Sequence, residues 1–364
     1  MQKLGLYICT GAVAFLLAFS APASAQHTES DDWPRASSAE LSVLTYNVRG
    51  LPWPIAKNRS RALRKIAATL RQMRENDEHP QIVLLQEAFT GSARAIGRLA
   101  GYKYVISGPS SKEKNNAIAS PADREFLTSA QWDKGEGLGK IFGSGLQILS
   151  DYPVTEIHKL AFPKYACAGF DCLANKGVVL VTVDIPRLGS TVQIANAHLN
   201  AKRSSRVSEE RRKFAVQRQI EAAHAFIGQH LGLGSPLIFG GDFNVGNVAW
   251  RRELLFGMDW PIKLNADALR RLAANTELEA DAQEALDRAT DWQFFHSGKS
   301  LQIIPQRVSI PFGRDVDGNM LSDHVGYTII YKLTNIGTES PEVAVPTRES
   351  GLTRPASTRF AGTR

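Results

Sequence analysis

The stretch "PLIFGGDFNV", residues 236–245, raises the question on which the fold turns. A run of apolar residues ends in two glycines, a carboxylate and an amide, although a strand that served packing alone could end in any turn residue. Read as strand, Asp242 and Asn244 alternate across the pleat with Phe243, share one face and can both line a pocket. Read as loop, the same Gly, Asp and Asn are ordinary turn formers. One occurrence does not separate the two readings.

Four more segments repeat the pattern. "LSVLTYNVRG" ends its apolar run on Asn47, "QIVLLQEAF" on Glu87, and "TVQIANAHLNA" on His198 and Asn200; "GNMLSDHVGY" sets Asp323 and His324 before another apolar run. In layered α/β domains ligands gather where strand ends meet loops, so these groups are expected to converge in one crevice.

Between these stations, "NRSRALRKIAATLRQMREND" has helical periodicity and leads into the strand "QIVLLQE". "RVSEERRKFAVQRQIEAAHAFIGQHL" does the same before "PLIFGGD". "GLQILSD", "KGVVLVTVDI" and "TVQIANAH" add shorter antiparallel strands. The segment Asn265 to Arg288 reads as one helix, after which "DWQFFHS" and "LQIIPQRVSI" return to strand. At 364 residues, 43% hydrophobic and 22% charged, the chain is long enough to bury a large core and is not disordered as a whole. Its 43 Lys and Arg against 36 acids give a formal charge of +7, which suits a polyanion or an anionic membrane surface without naming either.

Residues 1–25 read as a signal peptide: Lys3, an apolar stretch through Phe19, and Ala23 and Ala25 as an A-x-A cleavage site. The apolar core is shorter than the roughly 18 residues a membrane span needs, so a secreted or periplasmic protein is expected. Cys9 leaves with the signal, and the remaining pair, Cys167 and Cys172 in "CAGFDC", is expected to form a disulfide in an oxidising compartment. Residues 26–38 read as a linker, 39–335 as the catalytic domain and 336–364, rich in Pro, Ser, Thr and Arg, as a disordered tail.

A carboxylate, amides, two histidines and several Asp at strand ends suit one chemistry in particular. A hard divalent cation such as Mg²⁺ takes oxygen ligands from one or two carboxylates, a role that fits Glu87 with Asn47. The histidines are then free for proton transfer, with a second Asp orienting His324 as it takes a proton from water. Metal, His198 and Asn244 would share the charge developing on a phosphoryl group.

"TYN", "LLQE", "NAHLNA", "GGDFNV" and "LSDHVGY", in this order, resemble the endonuclease/exonuclease/phosphatase superfamily of Mg²⁺-dependent phosphodiesterases over about residues 40–333. The resemblance implies an α/β fold, a four-layered α/β sandwich in which two mixed β-sheets pack face to face with helices outside. It implies Asn47 and Glu87 as metal ligands (Mg²⁺, with Mn²⁺, Co²⁺ or Ca²⁺ as substitutes) and His198 on the phosphate. Asp242 and Asn244 would hold the attacking water or scissile group, Asp323 and His324 would complete the site, and Asp291 in "ATDWQFF" would pair with the last histidine.

Two substrate classes follow. "CAGFDCLANKGVVLVTV" resembles a segment of neutral and bacterial sphingomyelinases in which an Asp and a Lys control access to the site; Asp171 and Lys176 occupy the matching positions. That implies a phospholipid substrate at a membrane surface, a monomer and no obligate protein partner. The alternative is a nuclease whose basic run Lys202, Arg203, Arg206, Arg211, Arg212 and Lys213 tracks nucleic-acid phosphates, although such a run more often marks a solvated helix face. Secreted bacterial sphingomyelinases carry an exposed aromatic hairpin before the final Asp-His; here that stretch offers only Ile310, Pro311 and Phe312.

Overall fold

Residues 36–202, 204–261, 264 and 267–337 are described in the computed structural model. The signal peptide, most of the linker and nearly all of the tail lie outside them. The strands are β1 (Ser38–Asn47), β2 (Ile82–Gln86), β3 (Tyr104–Ser107), β4 (Gln147–Ser150), β5 (Val154–Ala161), β6 (Gly177–Ile185), β7 (Ser190–His198), β8 (Leu237–Asp242), β9 (Asp291–His296), β10 (Leu301–Phe312) and β11 (Gly326–Asn335). The helices are α1 (Arg59–Glu75), α2 (Gly91–Arg94), α3 (Ile96–Leu99), α4 (Pro121–Thr128), α5 (Glu209–His230), α6 (Ala249–Phe256), α7 (Ala268–Ala273) and α8 (Ala280–Arg288).

Consecutive apolar residues in the central strands serve two different layers. In β2, Ile82 and Leu84 face one core and Val83 and Leu85 another. Both faces of that sheet are therefore covered, and its central strands read as unbroken apolar runs. One sheet has six strands in the order β10-β11-β1-β2-β4-β3, the other five in the order β5-β6-β7-β8-β9, and both mix parallel and antiparallel pairs. Val43 and Leu84 from the first meet Val181, Ile194 and Ile238 from the second in the central core. Leu63, Ile66 and Leu70 of α1 cover the first sheet's outer face, and Val216, Ile220 and Ile227 of α5 cover the second's. The result is the four-layered sandwich expected from the sequence.

The two glycines of "IFGGD" are steric requirements. A Cβ on Gly240 would lie 2.5 Å from Leu84 Cδ1 in the facing sheet; one on Gly241 would lie 2.1 Å from the Ala197 carbonyl of neighbouring β7. Buried amides also cross the gap between the sheets. Gln86 Nε2 donates to Asn196 Oδ1 at 2.8 Å, Asn196 Nδ2 donates to Leu85 O at 2.9 Å, and Gln293 Nε2 donates to Val43 O at 3.0 Å. Buried, paired amides of this kind fix how one sheet seats on the other.

Three expectations need amendment. The segment from Asn265 to Arg288 is two helices, α7 and α8, because the poor helix formers Asn275 and Thr276 end the first by hydrogen bonding back to Leu272 O. Ser38, assigned to the linker, already pairs with Thr334 as the first residue of β1. Asn244 is not part of strand β8: its φ is 52°, so its side chain reaches Asp242's pocket through a left-handed turn and not by pleat alternation.

Candidate active site

Strand register places the central groups in a row. His198 at the end of β7 is directly opposite Asp242 at the end of β8, which is directly opposite Asp291 at the start of β9. Residues opposite one another project to the same face. The other sheet supplies Asn47, paired with Gln86 just before Glu87, and its strand β11 begins two residues after His324. The site therefore straddles the seam between the sheets.

The Asp242 carboxylate joins the two halves. Its Oδ2 accepts from Asn47 Nδ2 at 3.0 Å and lies 3.5 Å from His198 Nε2 and 3.9 Å from His324 Nε2; its Oδ1 accepts from the Asn244 amide at 2.9 Å. His324 Nδ1 pairs with Asp291 Oδ2 at 2.7 Å, and Thr290 donates to the same oxygen at 2.8 Å. Lys176 is buried with three acceptors for its three protons: Leu199 O at 2.8 Å, His198 Nε2 at 3.1 Å and Asp171 Oδ2 at 3.1 Å. Because Nε2 accepts from Lys176, the neutral His198 carries its proton on Nδ1.

Protonation follows from these surroundings. Burial, together with the Lys176 and His324 charges, holds His198 well below the usual histidine range, so it is uncharged. Burial also works against charge on His324, but Asp291, Asp242 and Asp323 outweigh it and lift the ring to about 10. Burial pushes Glu87 up to about 7 against the pull of Lys176 and His324, and burial and Asp291 raise Asp242. A bound cation lowers each of these values, reinforcing the shift of His198 and opposing those of His324, Glu87 and Asp242, so the directions given describe the ion-free protein.

Two predicted site residues lie further from the central carboxylates. The Asn200 side chain lines neither cavity and accepts the Ala168 amide at 2.9 Å, which ties it to the disulfide loop. Asp323 sits on the rim, half exposed, with Arg49 at 3.5 Å. The Cys167–Cys172 disulfide is present and closes the loop that carries Asp171. Two members of the predicted basic run are engaged within the protein, while Arg206 and Lys213 are exposed. Arg211 grips buried Glu136 through two hydrogen bonds of 3.1 and 2.7 Å, and Arg212 donates to the Lys202 carbonyl; Arg203 lies outside the described residues. Sequence reading missed Arg251, a fully buried guanidinium that donates to Asn200 O at 2.9 Å and Asn244 O at 3.1 Å and so ties the loops after β7 and β8 together. No motif marks it, since it occupies an ordinary helical position in α6.

Two cavities meet at this centre. A polar basin of 1320 Å³ reaches His324, Asn244 and Asp323, with Arg288, Glu284 and Asp287 among its walls. On the other side, a 560 Å³ groove has Glu87, Lys176, His198 and Asp171 in its floor and Leu51, Ile55, Phe89, Phe142, Phe170 and Leu173 in its walls.

Residues 44–324 match the profile of the Endonuclease/Exonuclease/phosphatase family. The chain belongs to this family. No curated protein sequence matches it. Among solved structures, it is similar to a humanized D. rerio TDP2 (15% identity, 80% of this chain and 98% of that one, TM-score 0.53). It is also similar to sphingomyelinase C from Streptomyces griseocarneus (18%, 81% and 99%, 0.51) and to a Staphylococcus aureus beta toxin mutant with bound magnesium ions (18%, 82% and 100%, 0.50). At these identities the likeness establishes the fold and no more.

Endonuclease/exonuclease/phosphatase enzymes use divalent metals, and the donors here suit one. Glu87 offers a buried carboxylate with which no cation of the protein forms an ion pair among the described residues, and Asn47 stands beside it with its Oδ1 accepting the Arg49 amide at 3.0 Å, leaving that oxygen a second lone pair for a metal. Asp242, Asp291 and His324 also lie close enough to share an ion, with Asp291 Oδ1 buried and lacking a hydrogen-bond partner. His324 Nδ1, however, is already committed to Asp291.

Two outcomes can be measured directly on this geometry. The Glu87 carboxyl must lose its proton to take a metal, so the proton competes below about pH 7 and the metal concentration for half-maximal activity rises by about tenfold per pH unit as pH falls. A metal requirement that does not change over the ~1.5 pH units below about pH 7 would remove Glu87 from the ligand set. Replacing Cys167 and Cys172 by Ser should cost about 2 kcal/mol of stability and lower turnover several-fold by freeing the loop that presents Asp171 to Lys176. Unchanged turnover alongside a lowered denaturation midpoint would show the disulfide to be structural only.

Proposed function

We propose that this protein is an exported, Mg²⁺-dependent phosphodiesterase that hydrolyses sphingomyelin or a close phospholipid relative to ceramide and phosphocholine, acting as a monomer. The observation that carries this reading is the apolar groove ending at Glu87, Lys176 and His198. A phosphodiester bound at the centre has two substituents and two cavities to receive them. An apolar wall favours a hydrocarbon-bearing alcohol, and the wide basin, lined by acids and bases together, leaves room for a compact polar headgroup.

Glu87 and Asn47 would hold the Mg²⁺, which when bound neutralises charge on the phosphoryl and leaving oxygens. Asn244 and His198 contact the phosphoryl group, and Lys176 fixes His198 from behind. Water attacks phosphorus from the His324 side; its proton passes to the Asp242 carboxylate, which the charged His324 flanks at 3.9 Å, the bond from phosphorus to the lipid alcohol breaks, and the departing alkoxide takes a proton from water in the groove. Asp291 holds the His324 ring in place throughout.

A nuclease reading draws less support, because Arg211 and Arg212 are bound within the protein. The deciding experiment offers purified protein with Mg²⁺ both sphingomyelin in mixed micelles and plasmid DNA at matched salt. Release of phosphocholine with intact plasmid is expected; nicked plasmid with untouched lipid overturns the substrate assignment.

A further inference from the structure

The mouth of the groove leaves large apolar side chains in water. Trp53 is 78% exposed and Ile55 60% exposed on the segment that follows β1; across the groove Ile141 is 61% exposed and Phe170 39% exposed. Ile55 and Phe170 line the groove itself, and Ile141 precedes the groove-wall residue Phe142. The amides of Ile141 and Phe142 both donate to Leu173 O, at 2.8 and 2.9 Å, which anchors that wall to the disulfide loop. Single exposed apolar residues are ordinary, whereas a set that rims one apolar cavity marks a contact surface. Two exposed cations, Lys57 and Arg206, flank it. The stretch that stands where secreted bacterial sphingomyelinases carry their aromatic hairpin offers little apolar surface, in keeping with its lack of exposed aromatics: Phe312 is buried against Tyr46, with ring centroids 4.8 Å apart, and Ile310 packs on the central core.

We propose that this mouth is the bilayer-contacting surface of the protein, with Trp53, Ile55 and Ile141 seated in the interfacial layer and Lys57 and Arg206 against lipid phosphates. The proposal rests on the lipid reading above. Its occupant is fixed by continuity: the groove floor is the reacting centre, so whatever fills the groove is joined to the scissile phosphodiester. Apolar walls with a Trp at the entrance and cations around it match the passage from hydrocarbon to headgroup. A lipid alcohol then travels from the membrane to Glu87 without crossing bulk water.

The test measures binding apart from turnover. Protein in EDTA is mixed with vesicles of phosphatidylcholine brominated along its acyl chains, with a minor share of phosphatidylglycerol, and tryptophan fluorescence is followed. Quenching is expected in the wild type and largely absent in Trp53→Phe. The Trp53→Ser/Ile141→Ser double variant, altered only at exposed positions, should partition to vesicles at least about tenfold more weakly while its circular dichroism is unchanged. Absence of quenching overturns the docking surface even if sphingomyelin in micelles is cleaved. Quenching without sphingomyelin cleavage leaves the docking surface standing and removes the substrate assignment. Concentration-dependent dimerisation that the double variant abolishes, with no vesicle binding, assigns the patch to a second copy of the chain and overturns the proposal.

Discussion

Glu87→Gln is expected to lower metal-dependent turnover by about three orders of magnitude or more, since it removes the negative ligand that a hard cation needs. The substitution preserves shape, and its effect on stability has a defined sign. The folded protein raises the Glu87 pKa to about 7, so above the ordinary carboxylate range the charged side chain weakens the fold. The Gln variant should therefore unfold at the wild-type temperature or slightly above it while losing activity. Wild-type turnover in this variant, with its metal dependence intact, would place the cation elsewhere, the Asp242, Asp291 and His324 cluster being the next candidate.

His324→Ala should lower kcat by about 10²–10⁴-fold with little change in KM, because positioning and proton transfer both act in the transition state. Here stability should fall as well. Asp291, Asp242 and Asp323 raise the folded-state pKa of His324 to about 10. The stabilisation is thus full below the ordinary histidine value and fades as pH climbs towards 10, so the loss of stability should be largest in acid and shrink in base. A defect confined to KM would make His324 a binding residue, and a stability loss that does not vary with pH would contradict its charge.

Much of the site was legible because strand ends are local: apolar runs stopping at Asn47, Glu87, His198 and Asp242 place their polar residues at one edge of a layered fold, whatever the order of the strands. The pairing of His324 with Asp291 rested on family resemblance, and the structure brings His324 Nδ1 and Asp291 Oδ2 to 2.7 Å. What escaped the sequence depends on contacts between distant elements. Asn200 looked like a site residue from its neighbourhood, yet its side chain is taken by Ala168 N. Arg251 and Glu136 are buried ions that each reach a distant partner, Asn200 O 51 residues away and Arg211 75 residues away, and no local period announces them. The break between α7 and α8 carries no Gly or Pro, only Asn275 and Thr276, too weak a signal against the apolar spacing on either side.

The seam on which the site is built also ties activity to the integrity of one sheet. Asn47 meets Asp242 across 195 residues, and β11, the last strand, pairs with β1, the first, directly after delivering His324. Because β11 lies between β10 and β1, displacing it would strip His324 from the site and leave β10 without its partner strand in the same event. Loss of hydrolysis and loss of that end of the sheet should therefore report a single opening, one that joins the two ends of the chain.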